Sequence, residues 1–256
     1  NLKGKKVKTP QPDIGVVSGL SMNDRGGVVF DFSSPKTAPA SFKFELGKKD
    51  IQQIGKVSTF GFDFSDIEVK VIRYKSEDDW EIPALLYIPE GAKRDGSNPA
   101  IVLYHGGPPG QSQPHFQRNI AFALSRGFVM LFPNVRGSTG YGPAYEQADN
   151  LEGRFGSLVD CEKALDYIIN EGWSKPEKIA VWGGSYGGFV VNWLSAHASD
   201  KFACAVSIVG VSDVDHTNLK SSQVFAAGWE REMGPIGSDL TRKLSPIYSA
   251  DQIEKP

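Results

Sequence analysis

Lys178-Ile179-Ala180-Val181-Trp182-Gly183-Gly184-Ser185-Tyr186-Gly187-Gly188 is the stretch on which the fold turns. Its first five residues form a compact apolar run that reads as a buried strand. Tyr186 to Ala198 then reads as a helix. Between them lies G-x-S-x-G, so the motif sits in the strand–turn–helix setting that gives it chemical meaning. A nucleophilic serine has to stand exposed at the top of a sheet, and a sharp turn is what carries it there. Gly183 and Gly187 remove the side chains that such a turn would crowd. The free N–H groups at the start of the following helix point toward the same place and favour an anion. Ser185 is the candidate nucleophile.

The flanking sequence repeats the strand–helix alternation. Ala100–Tyr104, Phe128–Phe132 and Lys178–Trp182 read as buried strands, and Phe202–Val209 as a fourth strand. Helices are expected over Phe116–Ser125 and Leu158–Ile169, the latter with a stripe at Leu158, Cys161, Ala164, Leu165 and Ile168. This pattern implies an α/β fold, a mostly parallel sheet with helices on both faces. Ile67–Tyr74 and Trp80–Ile88 read as an antiparallel hairpin turning at Lys75–Asp79. Upstream of residue 62 the style differs. Gly27–Phe32 and the alternating Ser41–Leu46 read as strands, with a proline-bearing loop from Ser33 to Ala40 between them. Two strands do not make a stable unit, so this part reads as the tail of a larger one.

Strand 100–104 runs into His105-Gly106-Gly107-Pro108-Pro109-Gly110. Acyl transfer needs a second backbone N–H aimed at the developing oxyanion, and a glycine loop after an early strand can supply it. Pro108 has no N–H to give. The expected donors are the N–H groups of Gly107 and Tyr186, with Gly106 allowing close approach. His105 precedes the serine, whereas the base of this fold follows it; it reads as a brace for the loop. His115 reads as a surface or substrate-facing residue.

Charge is nearly balanced, with 28 basic and 30 acidic residues in 256. That excludes a general pull toward nucleic acid or an anionic membrane, and no run approaches the ~18 apolar residues of a membrane span. The lysines at 3, 5, 6 and 8 read as a solvated segment, not a signal peptide. The start lacks an initiator Met, which leaves the compartment open. Cys161 and Cys204, the two cysteines, are neither metal-spaced nor a disulfide framework and read as free thiols. No motif calls for a metal or a cofactor.

Three segments in series, His105-Gly106-Gly107-Pro108, Asn134-Val135-Arg136-Gly137-Ser138-Thr139-Gly140-Tyr141-Gly142 and Gly183-Gly184-Ser185-Tyr186-Gly187-Gly188, resemble the prolyl oligopeptidase family. The branch they look most like is the acylaminoacyl-peptidase and dipeptidyl-peptidase group. Glu230–Gly234 and Ser245-Pro246-Ile247 add to the likeness, which covers residues 65–256. The resemblance implies an α/β-hydrolase fold preceded by a β-propeller. Residues 1–61 would then be the end of the propeller and a linker, and 62–256 the first part of the catalytic domain. It implies a serine peptidase acting on short peptides through an acyl-enzyme, with peptide as the partner and homo-oligomerisation of the full-length protein left open. Arg136 either braces the active-site face or forms a structural ion pair.

A base and an acid should follow the serine in the order Ser, Asp or Glu, His. His197 is twelve residues along a helix, ~18 Å away at the helical rise. His216 follows strand 202–209 with Asp213 and Asp215 nearby. It is either an unusual base or a loop residue, with the acting Asp and His beyond Pro256; the family pattern favours the second, and the chain alone is then expected to lack turnover. Two other functions stay open, a carboxylesterase-type hydrolase and a non-catalytic binding protein built on the hydrolase fold.

Overall fold

The computed structural model describes residues 12–55, 57–59, 63–219 and 222–256. The lysines at the start of the chain and the boundary expected at 61/62 lie outside these residues. The described residues form two compact units. One takes in the residues up to Val69 together with Gln113–Arg126, the other Lys70–Ser112 with Gly127–Pro256.

The first unit holds a four-stranded antiparallel sheet in the order β1 (Val16–Met22), β2 (Gly27–Ser34), β3 (Thr37–Glu45) and β4 (Gln52–Ile54). Alternation in β2 turns Val28, Phe30 and Phe32 inward. Phe30 stacks on Phe42 at 5.7 Å between ring centres. The expected loop from Ser33 to Ala40 is mostly strand. Ser34 Oγ accepts from the N–H groups of Lys36 (3.2 Å) and Thr37 (3.0 Å), which closes the chain into a tight turn. Pro39 is tolerated in β3 because it lies at a register shift against β2 and outside the short pairing with β4. The sheet also has two strands more than the sequence reading found. β1 is an edge strand whose residues are almost all exposed, with a register shift between Ser18 and Ser21, so it shows no clean alternation. The same unit contains helix α1 (Arg118–Ser125) and an edge-to-face contact of Phe64 with Phe116.

The second unit is built on a six-stranded sheet. Its strands are β5 (Glu68–Lys75), β6 (Glu81–Ile88), β7 (Ala100–Tyr104), β8 (Val129–Pro133), β9 (Ile179–Gly184) and β10 (Cys204–Ile208), in the spatial order β10-β9-β7-β8-β6-β5. β7 runs parallel to β8 and β9, β9 runs parallel to β10, and β6 is antiparallel to β8. Three of the apolar runs, as β7, β8 and β9, lie in the interior of this sheet, where Val102, Leu131 and Val181 are fully buried; the fourth, β10, is an edge strand and half exposed.

The helices of this unit are α2 (Pro143–Glu146), α3 (Gly153–Asn170), α4 (Tyr186–His197), α5 (Val214–Leu219), α6 (Gln223–Met233) and α7 (Asp239–Leu244). α3 packs on β7 and β8, α4 packs on β7, β9 and β10, and the two helices touch each other. α3 buries the expected stripe but starts five residues earlier than Leu158, where Gly153 and Gly156 hid the helical pattern. α6 and α7 each open on a serine cap, Ser222 accepting from Phe225 N–H and Ser238 from Thr241 N–H.

Candidate active site

β9 ends at Gly184 and α4 begins at Tyr186, leaving Ser185 alone at the corner. Its backbone sits at φ 55°, ψ −118°, a region that costs a non-glycine residue ~1–3 kcal/mol. Two hydrogen bonds and two close backbone approaches hold the corner. Ser185 N–H donates to the Ile208 carbonyl at the end of β10 (2.9 Å), and its own carbonyl accepts from Phe189 N–H (3.0 Å). A Cβ on Gly187 would lie 2.1 Å from the Tyr104 carbonyl oxygen. A Cβ on Gly188 would lie 2.6 Å from Gly210 Cα, so α4 and the chain leaving β10 meet backbone to backbone. Ser185 itself is exposed. Among the described residues its hydroxyl has no hydrogen-bond partner.

The glycine loop after β7 lies beside this corner. A Cβ built on Gly106 would stand 3.6 Å from Ser185 Cβ and 3.4 Å from the Gly184 carbonyl oxygen. Gly107 is exposed, with φ 149°. His105 turns both ring nitrogens into the loop. Nδ1 donates to the Gly106 carbonyl at 2.9 Å, and Nε2 is 2.9 Å from the Ser138 hydroxyl, which also lies 2.6 Å from the Val135 carbonyl. Burial pushes the His105 imidazole below its ordinary value, against the hydrogen bond to Gly106.

Ser138 belongs to the Asn134–Gly142 segment, which ties itself to the glycine loop at further points. Thr139 N–H donates to the Gly110 carbonyl (2.8 Å) and Asn134 Oδ1 accepts from Ser112 N–H (2.7 Å), just past the loop, while within the segment Asn134 Nδ2 donates to the Tyr141 hydroxyl (2.9 Å). Arg136 belongs to an ion-pair cluster. Its Nε and Nη2 donate to Asp160 at 2.8 and 2.7 Å, Nη2 also donates to the Gly156 carbonyl, and Nη1 pairs with Asp78. The guanidinium lies over the Trp80 ring at 5.1 Å. Asp160 is fully buried, and that burial raises its pKa in opposition to Arg136.

A second buried cluster reaches the corner directly, and the sequence reading missed it. Arg154 is 0% exposed. It pairs with Asp149, donates to Glu232 at 3.0 Å and donates to the Tyr186 hydroxyl at 2.9 Å. The signal was present: Arg154 lies four residues before Leu158 on the apolar stripe of α3. Burial pushes the Asp149 carboxyl up to about 6, with Arg154 pulling it down and Glu232 pushing it up.

No histidine touches Ser185. His216 is exposed on α5. Its backbone N–H donates to Asp213 Oδ1 (2.9 Å), and among the described residues its ring has no partner. His197 stacks on Trp193 at 4.2 Å, with Nδ1 bound to the Trp193 carbonyl. His115 bonds the Gln113 carbonyl inside the first unit. Among the described residues no group of three or more His, Cys, Asp or Glu could hold a metal, and no helix is long and apolar enough to cross a membrane. Cys161 and Cys204 are free thiols, the first buried and the second partly so.

Residues 114–256 match the prolyl oligopeptidase family. The chain is 28% identical over 270 residues to the acylamino-acid-releasing enzyme of Arabidopsis thaliana, covering 91% of this chain and 34% of that protein. It is 30% identical over 198 residues to dipeptidyl aminopeptidase BIII of Pseudoxanthomonas mexicana, covering 72% of this chain and 29% of that protein. Among solved structures, a prolyl endopeptidase aligns over 100% of this chain and 37% of its own, with TM-score 0.83 and 25% identity. The acylaminoacyl peptidase of Pyrococcus horikoshii aligns over 98% of this chain and 40% of its own, with TM-score 0.81 and 21% identity, a likeness of fold. The chain thus spans about a third of the length of the curated relatives it matches.

Proposed function

This chain belongs to the prolyl oligopeptidase family, and from that premise we propose that it carries the nucleophile and oxyanion site of a serine peptidase that cleaves short peptides. The observation that carries the reading is Ser185 itself, an exposed hydroxyl on a positive-φ corner between β9 and α4, with the backbone of Gly106 alongside. Ser185 Oγ attacks the scissile carbonyl carbon as its proton passes to a base. The oxyanion is held by the N–H groups of Tyr186 and Gly107, the amine leaves with the proton, and water then hydrolyses the ester. Each of the four histidines is accounted for without contact to Ser185. The base and its acid are therefore assigned to sequence outside these 256 residues, and His216 to the loop role. His105 acts as the loop brace, and Arg136 as a structural ion pair that shapes the neighbouring segment.

The four-stranded antiparallel sheet of the first unit supports its assignment as propeller-blade structure, since such blades are four-stranded. Relatives named as an acylamino-acid-releasing enzyme and a dipeptidyl aminopeptidase favour a peptide substrate.

The test is labelling of the natural-length protein by a fluorophosphonate, beside turnover of peptide p-nitroanilides. Both should vanish in Ser185→Ala. Turnover that survives Ser185→Ala, or dies in His216→Ala with the Ser185 label intact, would sink the reading.

A further inference from the structure

Tyr186 is fixed at two ends. Its backbone forms the first residue of α4, next to Ser185, and its hydroxyl reaches the guanidinium of Arg154 at 2.9 Å. Arg154 also lies over the Tyr186 ring, 5.1 Å from its centre. The arginine is in turn held by Asp149, in the turn before α3, and by Glu232 on α6 at 3.0 Å. Three separate segments thus converge on one fully buried guanidinium.

Burying such a group is costly, and apolar packing of similar volume often does as well for stability. What apolar packing does not do is fix a ring in one rotation and one depth. The planar fork of arginine can serve a hydroxyl and two carboxylates together, where a lysine offers a single compact charge.

We propose that Arg154 is a positioning residue for oxyanion stabilisation: by anchoring the Tyr186 side chain it keeps the Tyr186 backbone N–H aimed at the developing negative charge. This rests on the serine-peptidase reading above. An oxyanion donor works through pre-organised aim, so a donor free to tilt loses transition-state stabilisation while ground-state binding is kept.

The test uses the natural-length enzyme. Tyr186→Phe removes the anchoring hydroxyl and keeps the ring and the backbone donor. It should lower kcat about tenfold with KM within about twofold, and weaken a peptide aldehyde, which forms a tetrahedral adduct with the serine, by the same factor. Arg154→Met should do the same or more, and the double variant should be no worse than Arg154→Met alone. If Arg154→Met fails to fold, as a thermal melt will show, Tyr186→Phe decides alone. Wild-type kcat and aldehyde affinity in Tyr186→Phe would overturn the proposal, as would a kcat loss that leaves aldehyde affinity untouched. Ser185→Ala separates the two readings. If it keeps turnover, the peptidase reading fails; if it is dead while Tyr186→Phe is normal, only the positioning role fails.

Discussion

A Cβ on Gly183 would lie 2.2 Å from the carbonyl oxygen of Gly187, the residue two beyond the corner serine. All the atoms it would meet are Gly187 backbone, so no side-chain rotation relieves the clash. Gly183→Ala should therefore destabilise the protein by about 3 kcal/mol, the upper end of overpacking costs. Urea unfolding of the 256-residue chain measures it. A midpoint equal to wild type would show that the corner can open without cost.

Ser185 contributes the opposite effect. Its φ of 55° is strained for any residue with a side chain. Ser185→Gly should gain about 1 kcal/mol of stability, because local strain relief outweighs the added freedom of the unfolded glycine. The same variant should take no fluorophosphonate label. A lower melting temperature than wild type would argue that the corner is relaxed.

Arg136 and Asp160 form a buried pair in which Asp160 is 0% exposed and accepts from both Nε and Nη2. Removing one partner strands the other charge. Arg136→Met should cost about 3–5 kcal/mol, and Asp160→Asn less, since the amide still accepts one hydrogen bond. Equilibrium unfolding distinguishes this from a surface ion pair, whose loss would cost under about 1 kcal/mol.

The pH dependence has two opposed contributions. Burial holds the His105 imidazole below its ordinary 6.5, so the unfolded chain takes up that proton more readily. Stability from this group is full above pH 6.5 and is lost as pH falls below it through the lower folded value. Asp149 works in the other sense. Its folded carboxyl is pushed from 3.8 up to about 6, so the folded state binds the proton more tightly and gains stability as pH falls between those values. Urea midpoints taken at mildly alkaline and mildly acid pH should drop less in His105→Gln than in wild type. Equal drops would remove His105 from the account.

β10 is an edge strand, and Val206 (46%), Ile208 (48%) and Val209 (83%) are exposed there. An edge of this kind templates pairing with other chains. The 256-residue chain should self-associate with rising concentration in light scattering. Val206→Lys should suppress this without changing the far-UV spectrum. Scattering that is unchanged by the substitution would place the sticky surface elsewhere.

The second unit was legible in the sequence because its central strands are buried on both faces and its corner is written in glycine. Ala100–Tyr104 and Lys178–Trp182 read as compact apolar runs, and each is followed by a motif that a turn requires. What did not show were elements with no periodic signature. β1 exposes both faces, β4 has three residues, and α5 and α7 have six each. The proline-bearing stretch 35–39 read as a loop because its turn depends on the Ser34 hydroxyl and its strand on a register shift. Arg154 escaped because a charge on an apolar stripe reads as an interruption. Its partners Asp149 and Glu232 come from outside the helix and only the fold brings them to it.

Helix α3 presents Arg154, Ser157 and Asp160 at intervals of three residues. The first holds Tyr186. The second donates to the Arg136 carbonyl at 2.9 Å, and the third grips the Arg136 side chain. A single inserted residue between 154 and 160 would rotate one end against the other by about 100°. Insertions and deletions in that span would detach either the serine corner or the neighbouring loop, whatever residue they added. Beyond Asp160 the helix carries the buried stripe of Cys161, Ala164, Leu165 and Ile168, so its far end is fixed by apolar packing instead of by polar partners. In homologous sequences, then, the six-residue spacing from the tyrosine-binding arginine to the carboxylate should behave as a fixed ruler.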